Sequence, residues 1–163
     1  MKNPASKSLT RQLQAILGAD AVLHEPEDLM LYEYDGGTSK STPDAVVFPT
    51  TTQQVVEVVK LAARQGVPVL PRGAGTGLSG GAIPVGGGIV VGFSRMNRIL
   101  ELDLDNFRAV VQPGVVNADI TLAVASSGYF YAPDPSSQKA CTIGGNVAEN
   151  AGGPHTLAYG VTT

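Results

Sequence analysis

At 163 residues the chain can bury the core of one ordinary domain, and a net charge of only -3 argues against a nucleic-acid or anionic-membrane partner. Charged residues make up 15% of it, against roughly 25% in an average globular chain; after Arg108 only Asp119, Asp134, Lys139 and Glu149 carry charge, so that half is expected to face a ligand or further polypeptide. No apolar run approaches the ~18 residues of a membrane span, the N-terminus lacks a basic-then-apolar signal pattern, and the single cysteine, Cys141, makes no internal disulfide. A cytoplasmic setting is expected, with attachment to a membrane through a partner left open.

Residues 6–17 place Leu9, Leu13, Ile16 and Leu17 on one helical face, with Ser6 as N-cap and Gly18 past the end. His24-Glu25-Pro26-Glu27-Asp28 breaks this helix. Residues 29–34 read as a short packed segment, and Asp35-Gly36-Gly37 opens a polar linker that ends near Thr42. The spacing then predicts a βαβ unit, with strands at 45–48 and 67–70 around a helix at 52–65. Thr51 and Gln54 fit a capping box, Val55, Val58, Val59 and Ala62 make the apolar face, and Gly66 suits a left-handed stop.

The second strand empties into Pro71-Arg72-Gly73-Ala74-Gly75-Thr76-Gly77-Leu78-Ser79-Gly80-Gly81, in which five of eleven residues are glycine. An ordinary surface loop carries one or two. Consecutive N–H groups converge on one anion only if some residues take positive φ, and a diphosphate approaches the backbone closely only where no Cβ intervenes. The stretch therefore reads as a phosphate cradle, beside which Arg72 either screens the anion or sits in solvent. Gly75, Gly77 and Gly80 match the dinucleotide fingerprint G-x-G-x-x-G, but that fingerprint must open a helix, and Gly81-Ala82-Ile83-Pro84-Val85-Gly86 follows instead. No Lys followed by Ser or Thr completes a Walker A loop.

After Gly86-Gly87-Gly88, residues 89–93 read as another strand, and 99–104 with 109–112 as a hairpin, so the pairing changes from parallel to antiparallel. Residues 117–127 read as an amphipathic helix with Ile120, Ala123, Val124 and Ser127 in register, stopped by Gly128. Tyr129 and Tyr131, flanking Phe130, are expected to pack at a strand. Beyond Tyr131 the chain reads as irregular.

The βαβ unit, the glycine loop, Pro133-Asp134-Pro135-Ser136-Ser137 and Thr142-Ile143-Gly144-Gly145-Asn146-Val147-Ala148-Glu149-Asn150-Ala151-Gly152-Gly153 follow one another in an order that resembles the flavin-binding domain of the vanillyl-alcohol oxidase and p-cresol methylhydroxylase superfamily. Within it the motifs are most similar to the glycolate oxidase large subunit and D-lactate dehydrogenase group. The resemblance covers residues 42–163 and implies an α+β, p-cresol-methylhydroxylase-type FAD-binding domain of two halves, a small parallel βαβ half and then an antiparallel half. FAD would lie extended between them, and the domain would be incomplete at its C-terminus. The division expected is a helical segment and linker at 1–42 and the FAD-binding domain at 43–163, with the cap domain absent.

The cofactor-binding set that the resemblance implies is Pro71, Arg72, Gly73, Ala74, Gly75, Thr76, Gly77 and Leu78 around the pyrophosphate. Pro133, Asp134, Ser136, Ser137, Thr142, Gly144, Gly145, Asn146, Asn150, Gly152 and Gly153 would line the flavin and its ribityl chain. Thr76 stands where some relatives carry a flavin-linked histidine, and Cys141 falls one residue from a second attachment point and reads as a buried thiol, so non-covalent FAD is expected. The activity implied is hydride transfer from a 2-hydroxy acid of the glycolate or D-lactate type, held by the cap domain, with the electron acceptor left open among oxygen, a quinone, a cytochrome and an iron–sulfur partner subunit. No catalytic or metal-binding residue is assigned in this chain, which is expected to be inactive alone. His155 could shuttle a proton but reads as a loop residue making one hydrogen bond, and His24 has no partner motif. Two alternatives stay open: a noncatalytic FAD- or nucleotide-diphosphate-binding half-domain completed by a second chain, and an anion-binding protein unrelated to flavin.

Overall fold

The strand signals assemble, in a computed structural model that describes residues 4–162, into one four-stranded sheet and one hairpin. Strands β1 (Val22–Leu23), β2 (Ala45–Val47), β3 (Val69–Arg72) and β4 (Ile89–Gly92) lie in the order β1-β2-β4-β3, with β1 antiparallel to β2 and the other pairs parallel. Helix α3 (Thr52–Gln65) joins β2 to β3 as expected, but these strands are not neighbours. Strand β4 is inserted between them, Ile89 pairing with both Ala45 and Val69.

Alternation along the strands builds a core on both sheet faces. Ala45, Val47, Ile89 and Val91 point to one side, where Leu9 and Leu13 of α1 (Pro4–Leu17) and Val58, Leu61 and Ala62 of α3 cover them. Val46 and Val90 point to the other, against Leu29 of α2 (Pro26–Leu29), with Tyr32, Phe48 and Leu70 around them. At about 1.5–3 kcal/mol per fully buried aliphatic side chain, this two-sided cover holds the strand ends from which the glycine loop springs. Helix α1 and strand β1, both before residue 43, belong to the same core as the βαβ unit.

Local details depart from expectation where tertiary contacts compete. Helix α1 starts at Pro4, which suits a first helical turn, so Ser6 lies inside the helix and does not cap it. Thr51 Oγ1 accepts from the Gln54 N–H at 3.2 Å, but Gln54 Oε1 returns to the N–H and hydroxyl of Thr50, at 2.8 and 3.0 Å, so the capping box is displaced by one residue. The buried stripe of α3 is turned toward Leu61, leaving Val59 45% exposed. Strand β3 begins two residues later than its apolar run and extends to Arg72.

The chain divides into two compact units, Met1–Arg95 and Met96–Thr163. In the second, β5 (Ile99–Asp103) and β6 (Arg108–Val111) form the expected antiparallel hairpin. Helix α4 (Asn117–Val124) tightens to a 3-10 turn over Ala125–Ser127 before Gly128 stops it. That tightening turns Ser127 outward; Ala123 is exposed as well, while Ile120 and Val124 are buried. Residues 129–131 form no strand; Tyr129 instead meets Phe107 edge-on at 5.6 Å. Two short helices, α5 (Ile143–Ala148) and α6 (Thr156–Tyr159), occupy the region read as irregular. The Gly144-Gly145 pair disfavours a helix by about 1 kcal/mol per residue, but the N–H groups of Ile143 and Gly144 are engaged by the carbonyls of Val115 and Pro113 at 2.9 Å each. Both apolar core clusters lie in the first unit, whereas Phe107, Leu122, Phe130 and Leu157 of the second are exposed.

Candidate cofactor site

Strand β3 delivers the chain at its carboxyl end into a loop that returns through β4, the end of a parallel sheet at which ligands characteristically bind. Gly75 and Gly80 take φ of 71° and 82°, the left-handed region that lets neighbouring N–H groups turn to a common side. Among the described residues, no backbone N–H from 73 to 79 donates a hydrogen bond. The same residues are exposed apart from Gly75, which is half-buried. An exposed run of undonated N–H groups is free to donate to an anion.

Arg72 does not sit in solvent. It is 7% exposed, its Nη1 donates to the Ala82 carbonyl at 3.2 Å, and its Cζ lies 5.6 Å from the centre of the Tyr32 ring. Burial lowers its pKa from the usual guanidinium value, opposed by the nearby Tyr32, Asp35 and Tyr34. The guanidinium thus supports the loop from beneath, and its charge is set against Asp35. The Asp35 carboxylate accepts from the Gly37 N–H at 2.7 Å and from the Gly80 N–H at 3.1 Å. Sequence reasoning took residues 35–37 for a linker; an aspartate before two glycines signals a local turn, but nothing in it names a partner 45 residues away.

In the second unit, Asn117 is the organising side chain that sequence reasoning missed. It is fully buried at the start of α4, its Nδ2 donates to the Pro133 carbonyl at 3.0 Å, and its N–H donates to the Cys141 carbonyl at 3.0 Å. One residue therefore ties down both segments expected to face the cofactor. Asp134 closes on the later segment: His155 N–H donates to its Oδ1 at 3.1 Å, and His155 Nδ1 lies 2.7 Å from its Oδ2. Desolvation raises the Asp134 carboxyl, but the backbone and ring hydrogen bonds from His155 outweigh it and hold the group below its usual 3.8. Gly153 has no side chain because the backbone of Asp134 fills the space a Cβ would need. Ser136 is exposed and Ser137 half-buried, Asn150 takes a left-handed φ of 51°, and the buried Cys141 is a free thiol.

Thr142 Oγ1 and Asn146 Nδ2 are buried with no hydrogen-bond partner among the described residues, and Asn146 is only 2% exposed. Leaving such groups unpaired costs about 1–3 kcal/mol each, and both belong to the segment assigned to the flavin side. The exposed run of N–H donors in the first unit fits a diphosphate such as that of FAD.

A sheet whose three parallel strands open into a glycine-rich loop of free N–H groups, followed by a unit built on an antiparallel hairpin, defines an FAD-binding domain of the p-cresol methylhydroxylase type. A sequence model described as the FAD binding domain matches residues 43–163, and the chain belongs to that family. It is 44% identical over 158 residues to the glycolate oxidase subunit GlcD of Bacillus subtilis (strain 168), covering 96% of this chain and 34% of that protein. It is 44% identical over 123 residues to the D-lactate dehydrogenase of Anaerostipes hadrus, covering 76% of this chain and 26% of that one. Among solved structures, that of p-cresol methylhydroxylase with substrate bound is similar with a TM-score of 0.69 at 26% identity, over 77% of this chain and 26% of its own. The chain spans about a third of the length of the curated relatives it matches, 34% for GlcD. Among the described residues no helix is long and apolar enough to cross a membrane.

Proposed function

We propose that the protein is an FAD-dependent oxidoreductase that removes a hydride from the α-carbon of a 2-hydroxy acid of the glycolate or D-lactate type, and that this chain is its FAD-holding part. The observation that carries this reading is the run of undonated N–H groups at residues 73–79, within the family-matched region. The substrate class is supported by the relatives' names, a glycolate oxidase subunit and a D-lactate dehydrogenase. That the first is a subunit also supports a partner chain.

In this reading residues 71–78 hold the pyrophosphate, with Arg72 acting from below the loop. Thr142 and Asn146 spend their unpaired buried groups on the flavin side, where Pro133, Asp134, Ser136, Ser137, Gly144, Gly145, Asn150, Gly152 and Gly153 shape the wall. Bound flavin supplies the hydride acceptor; the chain's own residues bind, orient and exclude water. In this reading binding is non-covalent: Thr76 has only a weakly nucleophilic hydroxyl, and the Cys141 thiol is buried. No catalytic residue is assigned to this chain; alone it binds FAD without turnover. Residues 43–163 form the FAD-binding domain and 1–42 a supporting segment, in a cytoplasmic protein whose substrate is held by a cap domain.

A flavin titration tests the reading. The chain is expected to quench FAD fluorescence saturably and to release FAD to excess ADP; a chain that takes up no FAD sinks the proposal. A second reading, a noncatalytic half-domain completed by another polypeptide, is favoured by an open, mainly apolar pocket of about 310 Å³ in the second unit, lined by Leu102, Phe107, Arg108, Ile120, Val124 and Phe130 among others. On that reading FAD binds only after a second chain is added.

A further inference from the structure

The segment between α2 and β2 is a strap across the glycine loop. Gly36 N–H donates to the Gly77 carbonyl at 2.9 Å, Gly80 N–H to Asp35 Oδ2 at 3.1 Å, and Ser41 Oγ to the Pro84 carbonyl at 2.7 Å. Farther along, Asp44 N–H donates to the Gly88 carbonyl at 2.8 Å, and Gly88 N–H to Asp44 Oδ2 at 2.7 Å. The fit is close: a Cβ at Gly36 would lie 2.9 Å from the Gly77 carbonyl oxygen and 3.1 Å from that of Thr76. Asp35 is the buried member, 6% exposed, and it precedes the family-matched residues 43–163.

We infer that Asp35 is a positioning residue for the pyrophosphate loop, holding residues 73–79 in the conformation whose N–H groups converge on a diphosphate before any ligand arrives. The inference rests on the reading of that loop as the FAD pyrophosphate site. Both partners of the carboxylate, Gly37 N–H and Gly80 N–H, are donors, so the site calls for a group with two acceptor oxygens. An amide of the same shape would set its own NH2 against one of them. A buried carboxylate beside an anion site is tolerable only if its charge is balanced, and Arg72 supplies the balance. The loop then presents backbone dipoles to the ligand with little ordering left to do, which is how preorganisation becomes affinity.

The test uses the full 163-residue chain as wild type, Asp35→Asn and Gly36→Ala, the last pressing on the loop without touching the carboxylate. FAD and ADP affinities are measured by titration, and amide exchange at Gly37, Gly80 and Val90 by NMR. Both variants are expected to weaken FAD and ADP binding about tenfold, the equivalent of roughly one charged hydrogen bond. Exchange should quicken at Gly37 and Gly80 and stay slow at Val90. Leu61→Ala, which loosens the core without touching the strap, should leave both affinities unchanged while folded, separating positioning from general stability. Wild-type affinities in a folded Asp35→Asn overturn the inference and leave the pyrophosphate reading standing. A wild-type chain that binds neither FAD nor ADP removes that reading, and the inference falls with it.

Discussion

The guanidinium of Arg72 occupies the space that a side chain at Gly75 would need. A Cβ built at Gly75 would collide with Arg72 Nη2 and lie 2.7 Å from Cζ, on a backbone whose φ is 71°. Two constraints therefore meet at one glycine, a left-handed backbone and a charged side chain directly beneath it. Gly75→Val is expected to displace Arg72 and to weaken FAD binding at least tenfold, since left-handed backbone alone costs an ordinary residue about 1–2 kcal/mol. Flavin titration of the variant, with circular dichroism to confirm the fold, checks this. Unchanged affinity would mean that the pyrophosphate lies elsewhere.

Arg72→Lys tests the same relationship from the other side. Lysine keeps the charge but cannot donate in the guanidinium plane to the Ala82 carbonyl while lying flat over Tyr32. A loss of about 1.5–3 kcal/mol of stability in urea denaturation is expected, the range for a hydrogen bond to a charged group. A variant as stable as the wild type would show that Arg72 supports nothing.

What was legible in the sequence divides by the separation of the partners. The bounds of α3 could be read because Thr51 and Gly66 act within a turn of the residues they cap. The glycine loop could be read because its residue types are themselves the signal, and Gly75 and Gly80 do take the positive φ such a loop demands. The insertion of β4 between β2 and β3 could not, since strand order in space is not written in any local pattern. Asp35 and Asn117 escaped for the same reason: Asp35 reaches 45 residues to Gly80, and Asn117 reaches 16 to Pro133. Helix α5 was hidden behind Gly144-Gly145, whose weak propensity is overridden by carbonyls of Pro113 and Val115 from a distant part of the chain.

Non-covalent attachment makes a simple prediction. With Thr76 in the loop and Cys141 buried, flavin bound to the chain should separate completely into the supernatant when the protein is precipitated with acid. Flavin fluorescence that stays with the washed pellet would show a covalent link and would require a nucleophile other than these two.

The Asp134 and His155 pair predicts how the second unit responds to acid. Because hydrogen bonds from His155 outweigh the desolvation that raises it, the carboxyl titrates below its usual 3.8 in the folded chain. A group whose pKa is depressed by folding contributes stability that is fully present above the unfolded value and is lost as pH falls through the folded one. The link between Pro133-Asp134 and the Gly153-Pro154-His155 turn should thus persist through neutral and mildly acidic pH and open only below the usual carboxyl range. NMR titration of the His155 backbone amide, which donates to Asp134 Oδ1 at 3.1 Å, reports this directly. Its chemical shift is expected to change with a midpoint below 3.8, and in Asp134→Asn that transition should vanish. A midpoint at or above 3.8 would mean that desolvation wins, and that the pair does not clamp the two segments.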